Sequence, residues 1–321
     1  MKPKLSVIIP MYNEEENVAN TLEKVEDVLY SLNIDYEILA VNDGSTDKTL
    51  ELLKEEAQKR KRVRVITYEK NKNVGGALKV GFERVKGDYI ITIDSDLSYD
   101  AKYIADLYRE LEKTNFDIIQ GSPYMKGGQA LGMPKLRLLI SKLSNRFFSY
   151  VINANVHTVT GMLRGYKKDV LDSLYLESNG PQIMMEILTK AVLLGYKIKE
   201  IPAILKTREK GKSKFQNQLK KVFSEYFILL YSDKPIIFFK TFGFGLLIFA
   251  FFYGLYLIYS YTKGFIGADD PVVQPVFSLV VILGALILFF SIIINQFVQI
   301  KKELLIIQKQ NKELERKLGE K

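Results

Sequence analysis

Up to Gln120, short continuous apolar runs alternate with longer stretches in which apolar residues recur every three or four positions. The runs Leu5–Pro10 (LSVIIP), Tyr36–Val41 (YEILAV), Val63–Thr67 (VRVIT), Tyr89–Ile93 (YIITI) and Asp117–Gln120 (DIIQ) predict strands covered on both faces, as in a parallel sheet. The periodic stretches near Glu14–Leu32, Asp47–Lys59, Gly76–Val85 and Tyr99–Lys113 predict the intervening helices. Strand and helix repeated in this way imply an α/β fold with right-handed crossovers. Ligands of such a sheet bind at the C-terminal ends of its strands.

Beyond Lys240 the pattern changes. Neither Thr241–Thr262 nor Pro271–Ile300 contains a charged residue. Each is longer than the roughly 20 residues a helix needs to cross a bilayer core of about 30 Å. Neither shows the polar stripe of a surface helix. Two transmembrane helices are predicted, at 236–262 and 271–298. Residues 263–270 between them carry net −1, whereas residues 1–240 carry +7 and the tail 301–321 carries +3. Positive flanks around a non-positive hairpin tip put the N-terminal domain and both termini on the cytoplasmic side of the cell membrane. Tyr253, Tyr256, Tyr259 and Tyr261 gather toward the far end of the first span, as interfacial aromatics do. In the cytoplasmic helical tail, 299–321, Leu304, Ile307, Asn311, Leu314 and Leu318 are spaced 3, 4, 3, 4. That spacing predicts a short coiled coil and hence a homo-oligomer. A basic amphipathic tail on the inner leaflet is the alternative.

Composition narrows the chemistry. The 321 residues carry net charge +9 and include no Cys, no Trp and a single His, His157. Without Cys there is no disulfide, no Cys-ligated zinc and no thiol nucleophile. One histidine excludes multi-His metal sites. From Ile118 to Lys168 there is no acidic residue, but there are eight basic ones: Lys126, Lys135, Arg137, Lys142, Arg146, Arg164, Lys167 and Lys168. Within it, Leu136, Ile140, Leu143, Phe147 and Val151 form a helical stripe, with Lys135, Lys142, Arg146 and Ser149 on another face. This predicts a basic amphipathic helix, within about 132–155, lying in a lipid headgroup layer. A second basic cluster, Arg208, Lys210, Lys212 and Lys214, precedes the stripe Phe215, Leu219, Val222, Tyr226 and Leu229. That stripe predicts a juxtamembrane amphipathic helix over 215–234. The arrangement points to the bilayer as partner and away from nucleic acid.

Candidate chemistry sits at the strand ends. Asp94-Ser95-Asp96 follows the fourth run, where two carboxylates one residue apart would repel each other without a cation. Mg²⁺ or Mn²⁺ accepts such a pair, with diphosphate oxygens and water completing the octahedron. Pro10-Met11-Tyr12-Asn13-Glu14 and Asn42-Asp43-Gly44-Ser45-Thr46-Asp47 should reach the same sheet edge. There Asp43 can accept the N3–H of uracil or the N1–H and N2–H₂ of guanine, and Tyr12 can stack on either base. Ser45 or Asp47 can cap the helix that follows. A Rossmann dinucleotide site is excluded, because no G-x-G-x-x-G follows the first strand.

In this order, PMYNEEENV, VNDGSTDKTL, NKNVGGALKVGFERVKGDYI and TIDSDL resemble the nucleotide-sugar domain of family-2 glycosyltransferases with the GT-A fold. The later segments resemble the dolichol-phosphate-mannose-synthase-like branch, and the resemblance covers roughly residues 4–215. It implies a GT-A catalytic domain over 1–214. The implied reaction is inverting, metal-dependent transfer of a hexose from a UDP- or GDP-sugar to a polyprenyl or dolichyl phosphate. It implies that Pro10, Tyr12, Glu14, Asp43 and Asp94 hold the nucleotide. Asp94 and Asp96 would be the catalytic, metal-binding pair. Ser98 stands where the branch has a Gln ligand, and Pro123 where it commonly has an Arg. Arg137 and Ser141 match the branch's acceptor-phosphate pattern P-x-x-R-x-x-x-S, and Arg208, Ser213 and Lys214 match its R-x-x-G-x-S-K segment. His157 is expected to serve hydrogen bonding rather than catalysis.

A phosphate monoester, with its second pKa near 6, is already a nucleophile at neutral pH. A hydroxyl acceptor needs a general base, and the basic region offers no evident one. Lipid phosphate is therefore the favoured acceptor. Transfer to a glycan or lipid hydroxyl by a non-processive enzyme is the alternative, and a non-catalytic membrane scaffold a further one. The Q-x-x-R-W motif of processive polysaccharide synthases needs a Trp, which this chain lacks.

Overall fold

The computed structural model describes residues 2–207, 235–264 and 273–319. They fall into two compact units, one formed by residues 2–207 with 305–319 and the other by 235–264 with 273–304.

In the first unit, five apolar runs form β1 (Leu5–Met11), β2 (Tyr36–Asp43), β3 (Val63–Tyr68), β4 (Tyr89–Thr92) and β5 (Ile118–Ser122). The helices between them are α1 (Val18–Ser31), α2 (Thr49–Lys59), α3 (Asn73–Phe82) and α4 (Tyr103–Lys113). Next come β6 (Gln129–Leu131), α5 (Lys135–Ile152), β7 (Arg164–Lys167), α6 (Lys168–Ser173), α7 (Ile183–Leu193), β8 (Ile198–Pro202) and β9 (Ile204–Lys206). The large sheet has the order β3-β2-β1-β4-β7-β5-β8, and β6 pairs with β9 in a separate ribbon. Its continuous apolar strands are buried, with Val7, Ile9, Ile38, Ala40 and Ile91 fully enclosed. Leu22 of α1 and Leu107 and Leu111 of α4 join the same core. Each such Leu contributes about 1.5–3 kcal/mol by leaving water.

One element corrects the all-parallel expectation. β7 runs antiparallel to both β4 and β5, so the sheet is mixed. Its sequence, Arg-Gly-Tyr-Lys, is not an apolar run, and Arg164 and Tyr166 are nevertheless fully buried. Gly165 lets β7 lie close against α4: a Cβ there would stand 2.7 Å from Leu111 Cδ1, and that side chain would have to shift.

The second unit consists of apolar helices. They are α8 (Pro235–Thr262) and the membrane-type part of α9 (Val273–Gly319). Phe239–Thr262 and Pro275–Lys312 are long and apolar enough to cross a bilayer, with mean hydropathies of 2.0 and 3.0 over an 18-residue stretch of each. Their contacts run in opposite order, Gly243 meeting Leu288 and Gly254 meeting Phe277, so the pair is antiparallel. At the crossing a Cβ on Gly243 would come within 2.9 Å of Leu288, and one on Gly284 within 2.8 Å of Leu247. Close approach at small residues is how apolar helices pack where no hydrophobic force separates them from lipid.

α9 continues without a break into the tail. Leu305 is buried there, Lys309 Nζ stands 4.7 Å from the Tyr196 ring centroid, and Lys312 Nζ donates to Leu174 O at 2.7 Å. Leu304, Ile307, Leu314 and Leu318 of the predicted stripe remain exposed. The juxtamembrane helix expected over 215–234, and the Arg208, Ser213 and Lys214 positions, lie outside the described residues.

Candidate active site

Because β2, β1 and β4 are adjacent and parallel, their C-terminal ends open at one edge of the sheet. Pro10 and Met11 close β1, paired with Val41 and Asn42. Half-buried Tyr12 follows, then Asn13, which takes φ +53°. Asn13 ties the first two loops together. Its backbone N–H donates to Ser45 Oγ at 3.0 Å, and its Oδ1 accepts from Thr46 N at 2.8 Å. Glu14 is buried, with its backbone N–H on Thr49 Oγ1 at 2.8 Å and its Oε2 accepting from Asn17 Nδ2 at 2.7 Å. Of the two expected caps, Asp47 holds the start of α2, accepting Thr49 N at 3.0 Å; Ser45 serves the neighbouring loop. Burial alone would raise the Asp47 pKa, but hydrogen bonds from Thr49 and Glu15 outweigh it and hold the carboxyl below its ordinary value.

Asp43 is the most enclosed of these carboxylates. Its Oδ1 accepts Tyr68 O–H and Lys72 N–H, both at 2.7 Å, and its Oδ2 accepts Asn71 Nδ2 at 3.0 Å. Burial raises its pKa, opposed by the Lys72 and Tyr68 bonds, the Lys72 charge and the Asn73 backbone N–H. The turn that aims it needs Gly44, at φ +66°, where a Cβ would stand 2.7 Å from Asn71 N. Tyr68, Asn71 and Lys72 carry this arrangement and were not singled out by the sequence. Their signal is the NKN that follows β3, the strand beside β2.

The Asp94–Ser98 loop leaves β4 between these loops and the β6–β9 ribbon. Ser95 O accepts Thr21 Oγ1 at 2.5 Å, Ser98 N donates to Asp96 Oδ1 at 2.9 Å, and Lys206 N donates to Ser98 O at 2.8 Å. Leu97 sits at φ +48°, an uncommon conformation for a branched apolar residue. Such strain is held in place by surrounding structure and concentrates at functional sites. Among the described residues no three His, Asp or Glu side chains form a cage for a metal ion. The half-buried pair Asp94 and Asp96 suits Mg²⁺ or Mn²⁺, which binds through one or two carboxylates and takes its other ligands from phosphate and water.

On the far side of Asp94 lies the predicted acceptor region. Buried Tyr99 links the two. Burial first, then the charges of Asp94 and Tyr124, push its hydroxyl pKa far above the ordinary value. Tyr124 O–H pairs with Ser141 Oγ on α5 at 2.6 Å, and Arg137 is half-buried on the same helix. Asn145 fastens α5 to the 157–161 segment, its Oδ1 accepting Val159 N at 2.7 Å. His157 Nδ1 lies 2.7 Å from Glu200 Oε2, and that buried carboxylate also accepts the backbone N–H groups of His157 and Thr158. This is the expected hydrogen-bonding role.

Two readings of the acid-free stretch need correction. Arg164 is no surface cation: it is fully buried at the start of β7, with its guanidinium on the Met184 and Val159 carbonyls. Lys167 and Lys168 are paired with Asp117 and Asp172. On α5, Val151 and Ser149 turn into the protein, whereas Leu136, Ile140, Leu143 and Phe147 remain exposed beside Lys135, Lys142 and Arg146.

A supporting loop packs on α3, which follows the Asn71 and Lys72 contacts to Asp43. Glu186 of α7 accepts the N–H groups of Glu177 and Ser178, each at 2.8 Å, and Lys190 Nζ at 2.7 Å. The loop so held packs on the start of α3, where Gly76 N donates to Asn179 O at 3.0 Å. A Cβ on Gly75 would fall 2.6 Å from that same carbonyl group.

The family profile described as Glycosyl transferase family 2 matches residues 6–175. A dolichol-phosphate mannosyltransferase of Pyrococcus furiosus is 35% identical over 218 residues, 67% of this chain and 60% of that one. An undecaprenyl-phosphate 4-deoxy-4-formamido-L-arabinose transferase of Pseudomonas fluorescens is 33% identical over 66% of this chain and 60% of that one. The match thus spans about three fifths of the length of these two relatives. A polyprenol monophosphomannose synthase of Mycolicibacterium smegmatis is 29% identical, over 65% of this chain and 79% of that one. In fold, the chain is similar to the glucosyl-3-phosphoglycerate synthase of Mycobacterium tuberculosis, solved with Mn²⁺, UDP and phosphoglyceric acid. The TM-score is 0.52 at 17% identity, over 67% of this chain and 73% of that one.

Proposed function

This chain belongs to glycosyl transferase family 2, and we propose that it transfers a hexose from a nucleotide diphosphate sugar to a polyprenyl phosphate at the cytoplasmic face of a membrane. The observation that carries this reading is one sheet edge holding Tyr12, Asp43, Asp94 and Asp96, bordered through Tyr99 by the Tyr124–Ser141 pair and Arg137. The names of the three relatives, all transferases acting on dolichol, undecaprenyl or polyprenol phosphate, support the acceptor class.

In this reading Tyr12 stacks on the base, Asp43 accepts its N–H, and Pro10 and Glu14 shape the pocket around them. Asp94 and Asp96, with Ser98 at the end of their loop, would hold Mg²⁺ or Mn²⁺. Such an ion would supply charge neutralisation for the leaving diphosphate. Arg137 and Ser141, with Arg208, Ser213 and Lys214, hold the lipid phosphate. An oxygen of that phosphate attacks C1 from the face opposite the diphosphate. The C1–O bond to the diphosphate breaks, its electron pair leaves with the nucleotide, and the configuration at C1 inverts. No proton has to be removed from a phosphate dianion, so the enzyme's task is positioning and charge compensation. The exposed apolar and basic residues of α5 suit a helix seated in the headgroup layer. α8 and the first part of α9 serve as the anchor, with both termini cytoplasmic. The exposed tail stripe suits pairing with a second copy.

The reading is tested by incubating the purified full chain, with Mg²⁺ or Mn²⁺, with polyprenyl phosphate and UDP- or GDP-hexoses. The product's sugar–phosphate link should be cleaved by mild acid. An acid-stable glycoside, or transfer only to hydroxyl acceptors, would overturn the phosphate acceptor. Arg137→Ala should lower kcat/KM for the lipid phosphate by about 10–100-fold, the loss of one charged hydrogen bond, while nucleotide binding stays unchanged. Steady-state kinetics with varied lipid, alongside nucleotide titration, separates the two.

A further inference from the structure

Resting on the reading of this site as a nucleotide-sugar pocket, we propose that its base position is built for the single imide N–H of uracil, making the donor a UDP-sugar rather than a GDP-sugar. A carboxylate has about four in-plane acceptor positions, two on each oxygen. At Asp43, Oδ1 already accepts Tyr68 O–H and Lys72 N–H, and Oδ2 already accepts Asn71 Nδ2. The Asn73 N–H that also faces the carboxylate has its acceptor in Asn71 Oδ1 at 3.0 Å, so one position is left, on Oδ2.

Both hydrogens of the Asn71 amide are committed to Asp43, one to Oδ2 and one to the backbone carbonyl. That fixes the carboxylate from both sides. Two of its other donors are backbone-borne or on a ring, so they do not swing away easily. Asp43 is only 3% exposed, so a base reaches it along a narrow edge.

Guanine presents two adjacent donors, N1–H and N2–H₂, which need an open acceptor position on each oxygen. Here it would leave one donor facing Oδ1 already filled, a buried polar group without a partner. Uracil presents one donor, N3–H, flanked by two carbonyl oxygens. Those acceptors suit surroundings that are rich in donors, among them the Lys72 ammonium, 4.7 Å from the Tyr68 ring centroid. Cytosine and adenine fit less well, since each turns a ring-nitrogen lone pair toward the carboxylate.

The test is calorimetric titration of the detergent-purified full chain with UDP, GDP, CDP and ADP, with Mg²⁺ present. UDP should bind at least about tenfold tighter than GDP, the scale set by one unpaired buried donor. Tyr68→Phe removes one donor from Oδ1 while keeping the ring, and should shrink the UDP:GDP ratio by admitting guanine. GDP, CDP or ADP binding as tightly as UDP in the wild type overturns the uracil assignment and leaves the nucleotide-sugar reading standing. An undiminished ratio in folded Tyr68→Phe overturns the acceptor count. Binding of none of the four overturns both this inference and the donor reading beneath it.

Discussion

Asp96→Asn should lower sugar transfer about 1000-fold while the protein stays folded and membrane-bound. Mutating groups that merely orient metal ligands typically costs about 10–100-fold, so loss of a proposed ligand should cost more. The substitution is conservative in shape. Asn keeps an oxygen that can accept Ser98 N–H, the bond Asp96 makes now at 2.9 Å. The turn that carries Leu97 at φ +48° is therefore kept, and the change is confined to charge. Radiolabelled transfer measured across a Mg²⁺ or Mn²⁺ titration checks this. Near-normal turnover at low metal would remove Asp96 from the site.

Glu186→Ala should destabilise the first unit by about 1.5–3 kcal/mol, because it takes from the buried Lys190 ammonium its closest carboxylate and leaves it Glu177 Oε2 at 3.2 Å and the Tyr175 carbonyl. The loop 177–178 would lose two backbone acceptors in the same step. Chemical denaturation in detergent, followed by circular dichroism, measures the loss, and a change below about 1 kcal/mol would show the pair to be dispensable. The pH dependence has a definite sign. Burial works to raise the Glu186 pKa, but Lys190 and the two N–H groups prevail and hold it below 4.5. A carboxyl depressed in the folded state gives stability that is present above its unfolded pKa and disappears as pH falls through the folded value. The gap between wild type and Glu186→Ala should therefore be full at neutral pH and narrow below about 4.5.

The parts of the fold written in consecutive residues were legible in the sequence. Four strands, β1, β2, β4 and β5, announce themselves as apolar runs because both of their faces are covered, and β3 does so although it is a partly buried edge strand. Their order brings Tyr12, Asp43 and Asp94 to one edge. β7 escaped because it is four residues long and carries two cations, one of them paired and the other buried on backbone carbonyls. The ligands that fix Asp43 escaped for a different reason. Tyr68, Asn71 and Lys72 matter only because β3 lies beside β2, a pairing that no local pattern encodes. In the tail, the boundary at 299 marks a change in composition and not in conformation. No proline follows Pro275, so nothing interrupts the helix where its side chains become charged.

The supporting loop also decides where a soluble fragment of this protein can be cut. The family match stops at residue 175; consider a chain ended there. It would lack β8, leaving β5 as a bare sheet edge open to pairing with other molecules. It would also lack the Met184 carbonyl that satisfies buried Arg164, and the Asn179 contact that seats α3 behind Asp43. Such a fragment should aggregate on expression, whereas one carried through Lys206 keeps the whole sheet. The smallest piece that keeps this sheet is thus set by the return strand, some thirty residues past the end of the family match.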